Sequence, residues 1–330
     1  MSALDTLGPA PEFGVVTPLA AGVRWVRLPL PFPPGHINVY LLEGDDGEPF
    51  LVDTGFADAG TTGIWRQQPV PLRVVVTHFH PDHIGQAAHF DAAGAEVYMP
   101  AAEWTQARTL QGFDDAEVDA SLSRFFVGNG MRYDTAMFGR GNGYRRSVPE
   151  LPRAVKILAR GTLPFTLQWR AFFVSGHSPE HALLLRKTDP VLAAGDVVLP
   201  RITPNISVWP DAPEADPLGD YLDALEAMHT LPADSLVLPA HGLPFRGLHE
   251  RLDQLATHHA THLQDLRDWL HGRSCTAADA LPRLFPDEMK PSSVLFALGE
   301  TLAHLNRLWR AGEIERQCDD TGVFRYYYKG

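Results

Sequence analysis

The run His78-Phe79-His80-Pro81-Asp82-His83 packs three imidazoles and a carboxylate into six residues, directly after the apolar run Leu72 to Val76. It constrains the fold strongly, because a strand must deliver the run and other elements must complete whatever it binds. In an extended peptide, residues two apart point to one side. His78 and His80 can therefore grip one cation while Asp82 and His83, at the following turn, reach a second. A polar loop capping a helix, with Asp82 as the cap, is the competing explanation. The density of ligating groups favours metal.

One loop does not complete a tetrahedral site, so further ligands should come from the ends of later strands. Three places qualify. Gly176-His177-Ser178-Pro179-Glu180-His181 follows the apolar run Ala171 to Val174, Gly195-Asp196 follows Val191 to Ala194, and His241-Gly242 follows Leu236 to Leu238. Each alone caps a turn or helix as readily as it binds an ion. Together with the first loop they form a set.

The order His-x-His-x-Asp-His, then His, then Asp, then His resembles the metallo-β-lactamase superfamily over roughly residues 20–245. The resemblance implies an α/β fold, an αββα sandwich holding two divalent metal ions. Zinc is expected, with iron or manganese as the other metals that such ligands accept. It implies that His78, His80 and His177 bind one ion, that Asp82, His83 and His241 bind the other, and that Asp196 bridges them. Asp53, in Leu51-Val52-Asp53-Thr54-Gly55, matches the family aspartate that orients a ligand from behind. His181 is expected behind the ligands or in the pocket wall, and His36 beside them or in a turn.

The periodicity agrees with a two-part chain of 330 residues. Short apolar runs (Trp25 to Leu30, Asn38 to Leu42, Phe50 to Val52, Glu96 to Met99, Ala182 to Leu185, Ser235 to Leu238) predict strands in two β-rich halves. Helices are predicted at about His83 to Ala93, Ala101 to Phe126 and Pro217 to Thr230. From Leu248 the texture turns to charged amphipathic helix, ending in a hairpin over Ile314 to Gln317 and Val323 to Tyr328. We therefore expect a catalytic domain at 1–247 and a small helical, winged-helix-like domain at 248–330. His258, His259 and His262 read as a solvated helix face. Cys275 and Cys318 are too far apart for a disulfide framework or thiolate site, and burial is expected for both.

The implied chemistry is attack by a metal-bridging hydroxide on an acyl or phosphoryl centre, with Asp82 as a ligand that also handles a proton. Family members specialised for antibiotics typically carry a cysteine near the bridging role, whereas thioester and phosphodiester hydrolases carry aspartate. Similarity to glyoxalase II and to the lactamase-beta-like group, which has a winged-helix-like extension, makes a small-molecule thioester or ester the expected substrate. A phosphodiesterase or endoribonuclease is the rival, and a winged-helix binding protein with an inactive metal domain is a third reading. The net charge of −12 argues against nucleic acid. Arg132, Tyr133, Tyr144 and Arg145, in the aperiodic segment Gly128 to Pro152, are candidates for an anion-binding lid, and Asn205, Ser207 and Trp209 for the pocket lining. Met1 to Gly14 shows no secretory signal and no run is long enough to span a membrane, so a cytoplasmic protein is expected, with Tyr326-Tyr327-Tyr328 as a candidate homodimer contact.

Overall fold

In the computed structural model, which describes residues 4–135, 141–287 and 289–328, the short apolar runs become strands of two seven-stranded sheets. One sheet places Thr17–Ala20, Val23–Pro29, His36–Glu43, Pro49–Val52, Arg73–Val75, Glu96–Met99 and Lys156–Ile157 side by side in chain order. The other runs Asp5–Thr6, Phe245–Arg246, Leu236–Pro239, Val191–Gly195, His181–Arg186, Thr166–Val174 and Gly161–Leu163. Both belong to a unit formed by residues 1–112, 144–204 and 229–251.

Side-chain alternation builds the layers of this unit. In His36–Glu43, Tyr40 and Leu42 join Trp25, Phe50, Val52 and Val75 in a core shared with Trp169, Phe173, Leu184 and Leu238 of the second sheet. Ile37 and Val39, on the opposite face, join Val26, Leu28, Leu51 and Val74 against the helix residues Trp65, Ile84 and Phe90. The α/β sandwich expected from the sequence is therefore present. The strands that periodicity misses, such as Asp5–Thr6, Lys156–Ile157 and Phe245–Arg246, are two-residue pieces too short to show an alternation.

Two expected helices are broken. The stretch from His83 is split into Pro81–Ile84 and Ala87–Ala92. Gly85 stands at the break, where a Cβ would lie 2.4 Å from the Pro81 carbonyl oxygen and 2.7 Å from the Ala57 nitrogen, so only glycine allows this approach. The stretch from Ala101 is split into Ala101–Gly112 and Asp115–Gly128, because Asp114 starts the second helix in a capping box with Glu117. The segment read as aperiodic contains the short helix Gly143–Ser147.

The second unit comprises residues 113–143, 205–228 and 252–330. The expected hairpin is present, with Ile314–Cys318 antiparallel to Phe324–Tyr328, and Ser274–Cys275 adds a third strand. Tyr326 is fully buried and its hydroxyl donates to Asn306 Oδ1 at 3.3 Å, so this ring is core rather than surface; Tyr328 is exposed. Cys275 is buried, but Cys318 is exposed, which corrects the expectation of burial for both. No helix among the described residues is long and apolar enough to cross a membrane.

His259 also departs from expectation. It is buried, not solvated, and its Nδ1 lies 3.2 Å from Nε2 of the buried His304. His304 Nδ1 donates to the Glu300 carbonyl oxygen at 2.8 Å, which leaves its Nε2 to accept from His259. Burial, with the neighbouring histidines, pushes His259 down to about 2; it pushes His304 down to about 4, against a carbonyl contact that raises it. A histidine held below its ordinary 6.5 stabilises the fold fully above that value and loses the stability as pH falls toward the folded pKa. For His304 the loss is about 2 kcal/mol at pH 5. Denaturant midpoints at pH 7.5 and pH 5 should therefore differ less in His304→Gln than in the parent; an equal difference would refute the assignment.

Candidate metal centre

Strand ends deliver the polar residues. Asp53 follows Pro49–Val52 and His78 follows Arg73–Val75, two parallel neighbours; Asp196 and His241 follow another parallel pair, Val191–Gly195 and Leu236–Pro239. Side chains just beyond the carboxyl ends of parallel strands converge there. His177 comes from the loop between Thr166–Val174 and His181–Arg186. The structure gathers His78, His80, His177 and Asp196 into one group and Asp82, His83 and His241 into a second. Within each group, one ligating atom per residue lies within 4.8 Å of the others. His80 and Asp82 are only half buried, so the centre opens on their side.

The spacing suits ions. Around a tetrahedral cation with ligand bonds of about 2.0 Å, adjacent ligand atoms stand about 3.3 Å apart. His177 Nε2 lies 3.3 Å from both His78 Nε2 and Asp196 Oδ2. Asp196 Oδ2 is also 3.4 Å from His83 Nε2, while Asp196 Oδ1 is 3.4 Å from His241 Nε2, so this carboxylate touches both groups. Asp82 Oδ2 lies 3.4 Å from His241 Nε2. Among the described residues none forms a hydrogen bond to the buried His83 Nε2 or Asp196 Oδ1, an unfavourable state that a coordinated cation relieves.

Charge points the same way. Burial, reinforced by neighbouring histidines, drives His78 well below the usual imidazole value and His80 to about 3, leaving both neutral and able to coordinate. For His83 and His241 burial is outweighed by carboxylates: Asp53, Asp196 and Asp82 hold His83 well above its usual value, and Asp196 with Asp82 lifts His241 to about 10. Carboxylates buried as Asp53 and Asp196 are need positive charge beside them, and in the absence of metal they take it as protons on these rings. The residues present therefore fit two divalent ions.

A layer of polar contacts fixes the ligands. Asp53 Oδ2 accepts from His83 Nδ1 at 2.8 Å, and Oδ1 accepts from the Thr77 N–H at 2.8 Å, which sets the tautomer that turns the His83 Nε2 lone pair inward. Among the described residues Asp53 is the one non-glycine with positive φ, 61°, a strained conformation held by these bonds. His241 Nδ1 donates to the His36 carbonyl oxygen at 2.8 Å, and the His36 ring accepts the Gly242 N–H at 3.0 Å. His36 thus supports His241 mainly through its backbone. His181 is fully buried; its Nδ1 donates to the Ala182 carbonyl at 3.0 Å and its Nε2 accepts the Asp196 N–H at 3.2 Å. Gly195, with φ 50°, lets this ring close in, since a Cβ there would stand 2.3 Å from His181 Cε1.

Sequence reasoning missed Glu103 and Asn38. Glu103, on Ala101–Gly112, is fully buried; Oε1 accepts from Ser178 Oγ at 2.8 Å and from the Glu180 N–H, and Oε2 accepts the Phe79 N–H at 3.1 Å. Burial raises its pKa against the opposing pull of these donors. In sequence it is one charge in a polar helix and reads as solvated. Asn38 Nδ2 donates to the Pro239 and Gly242 carbonyls at 3.0 and 2.8 Å, tying the His241 turn to the first sheet.

The substrate candidates fall in different units. Tyr144 and Arg145 lie in the first, where the Tyr144 hydroxyl donates to the Phe79 carbonyl oxygen at 2.8 Å and Arg145 is exposed. Arg132, Tyr133, Asn205, Ser207 and Trp209 lie in the second. There Arg132 is exposed, Tyr133 donates to Asp119 at 3.2 Å, Asn205 donates to Glu300 at 3.4 Å, Ser207 donates to Asn205 at 2.7 Å, and Trp209 packs edge-on against Phe296.

The sequence profile described as "Metallo-beta-lactamase superfamily" matches residues 32–241, and one described as "Metallo-beta-lactamase-like, C-terminal domain" matches residues 263–329. A curated Bacillus subtilis (strain 168) protein named "Probable metallo-hydrolase YqjP" is 25% identical over 304 residues, 86% of this chain and 91% of its own. The crystal structure of a beta-lactamase domain protein from Burkholderia ambifaria superposes with a TM-score of 0.90 at 36% identity, covering 99% of this chain and 98% of its own. A metallo-beta-lactamase family protein from Thermus thermophilus superposes with a TM-score of 0.78 at 28% identity, over 94% and 99%.

Proposed function

Because this chain belongs to the metallo-beta-lactamase superfamily and is a metal-dependent hydrolase, we propose that it uses a dinuclear centre to cleave a thioester or ester of a small molecule. The observation that carries this reading is Asp196, a carboxylate within 3.3–3.4 Å of ligating atoms from both groups, in the place where resemblance to antibiotic-hydrolysing members would put a thiolate.

Two divalent cations held there would lower the pKa of a water to about 7 and polarise an electrophilic oxygen. The chain's own residues supply the rest. Asp53 and the His36 carbonyl keep His83 and His241 in their ligating tautomers, and His181 holds the backbone of Asp196. Asp82, half buried on the open side, is placed to accept a proton from an attacking water and return it to the leaving group. An acyl centre is favoured over a nucleic-acid phosphodiester by the net charge of −12, since polyanion binding needs clustered excess cations. Zinc is the metal we assign, the imidazole and carboxylate donors being suited to it.

The test is a panel of thioesters, esters, lactones, phosphodiesters and RNA on one preparation, with and without chelator. Thioester or ester turnover that chelation removes and zinc restores supports the reading. Preferred cleavage of phosphodiesters or RNA overturns the substrate class.

A further inference from the structure

We propose that Glu103 is the positioning residue of the three-histidine half of the centre, the counterpart of Asp53 in the other half; this rests on the metal reading above. Phe79 stands between His78 and His80, and Ser178 directly follows His177. The Glu103 carboxylate accepts from the Phe79 N–H on one oxygen and from Ser178 Oγ and the Glu180 N–H on the other. One buried group therefore ties down both loops that carry His78, His80 and His177, although His78 and His177 are 99 residues apart in the chain.

Other contacts reinforce the tie. Phe79 is held a second time, at its next peptide group, by Tyr144, whose hydroxyl donates to the Phe79 carbonyl oxygen at 2.8 Å. The same helix meets the second loop again, where the Ala102 N–H donates to Glu180 Oε2 at 3.3 Å. Loop position matters because ligand atoms must meet near 3.3 Å, and a loop free to move does not hold them there.

The chemistry requires a carboxylate. Backbone N–H groups approach both oxygens of Glu103, and neither can turn round. The isosteric Glu103→Gln must set its amide N–H group against either the Phe79 N–H or the Glu180 N–H. One loop is then released while the volume is unchanged. Asp53 has no contact with this pair of loops through Phe79 or Ser178; it binds His83 of the second group directly and reaches the first group only through the Thr77 hydroxyl, which lies 2.9 Å from Asp53 and 3.0 Å from His78 Nδ1.

The experiment titrates metal-free full-length protein with Zn²⁺ alone, reading stoichiometry and affinity for the parent, Glu103→Gln, Ser178→Ala and Asp53→Asn, with circular dichroism as the folding control. We expect two ions in the parent. Glu103→Gln should weaken one of them by about ten- to a hundredfold and leave the other in place. Ser178→Ala, which removes a single donor, should weaken that same ion by a smaller factor, and it keeps the proposal testable if Glu103→Gln does not fold. Combining Glu103→Gln with Asp53→Asn should weaken both ions. Unchanged affinities, or equal weakening of both ions by Glu103→Gln alone, overturn the proposal while leaving the dinuclear reading intact. Absence of zinc uptake by the parent overturns both.

Discussion

Replacing Asp196 by alanine is expected to abolish metal-dependent hydrolysis while leaving a folded chain. Asp196 presents Oδ2 to His177 and His83 and Oδ1 to His241, so its two carboxylate oxygens reach ligands of both groups. Losing a single preorganised group that stabilises developing charge typically costs about 10²–10³ in rate. A carboxylate shared by two ions should cost at least the upper end, about a thousandfold. The fold should survive, because the side chain sits at the open end of the sandwich and not among the apolar contacts between the sheets. Steady-state rates at saturating zinc, with circular dichroism on the same sample, check this. A folded variant with the parental rate would remove Asp196 from the mechanism.

The second large effect is expected for Asp53→Asn. Asp53 lies behind His83, accepting its Nδ1 proton at 2.8 Å and thereby leaving Nε2 as a lone pair directed into the centre. An asparagine of the same shape can turn its N–H group toward His83 Nδ1, which selects the opposite tautomer and places a proton on the ligating nitrogen. Partners of this kind behind a ligand are worth about ten- to a hundredfold in metal affinity. Because φ at Asp53 is 61°, and asparagine tolerates that region about as well as aspartate, backbone strain should not confound the comparison. Zinc affinity measured by competition with a chromophoric chelator checks the effect. Unchanged affinity would show that His83 does not depend on Asp53.

Much of the first loop was legible because its meaning is local. His78, His80, Asp82 and His83 lie within six residues, and the geometry of an extended chain entering a turn suffices to divide them between two groups. Asp196 and His241 were legible as polar residues at strand ends. Glu103 was not, because its burial is decided by loops near 79 and 178 that no local pattern announces. His259 was misread for the same reason: its partner His304 lies 45 residues away on another helix. The break at Asp114 had a visible signal, the Asp114–Glu117 capping box, which the apolar spacing on either side obscured. Nor does any local pattern place residues 113–143 with the C-terminal segment. That grouping depends on close approaches such as Ala278 N–H to the Asn129 carbonyl at 3.1 Å, and on Gly130, where a Cβ would meet Thr276 at 2.6 Å.

The central claim is that the two groups of ligands form a working dinuclear centre. It is tested most directly by counting metal in the purified chain by plasma emission while following thioester hydrolysis through chelation and stepwise return of zinc. The account predicts two equivalents per chain in the active protein, loss of activity with the metal, and recovery that tracks occupancy. Full activity in metal-free protein, or a folded chain that takes up no divalent ion, would contradict it.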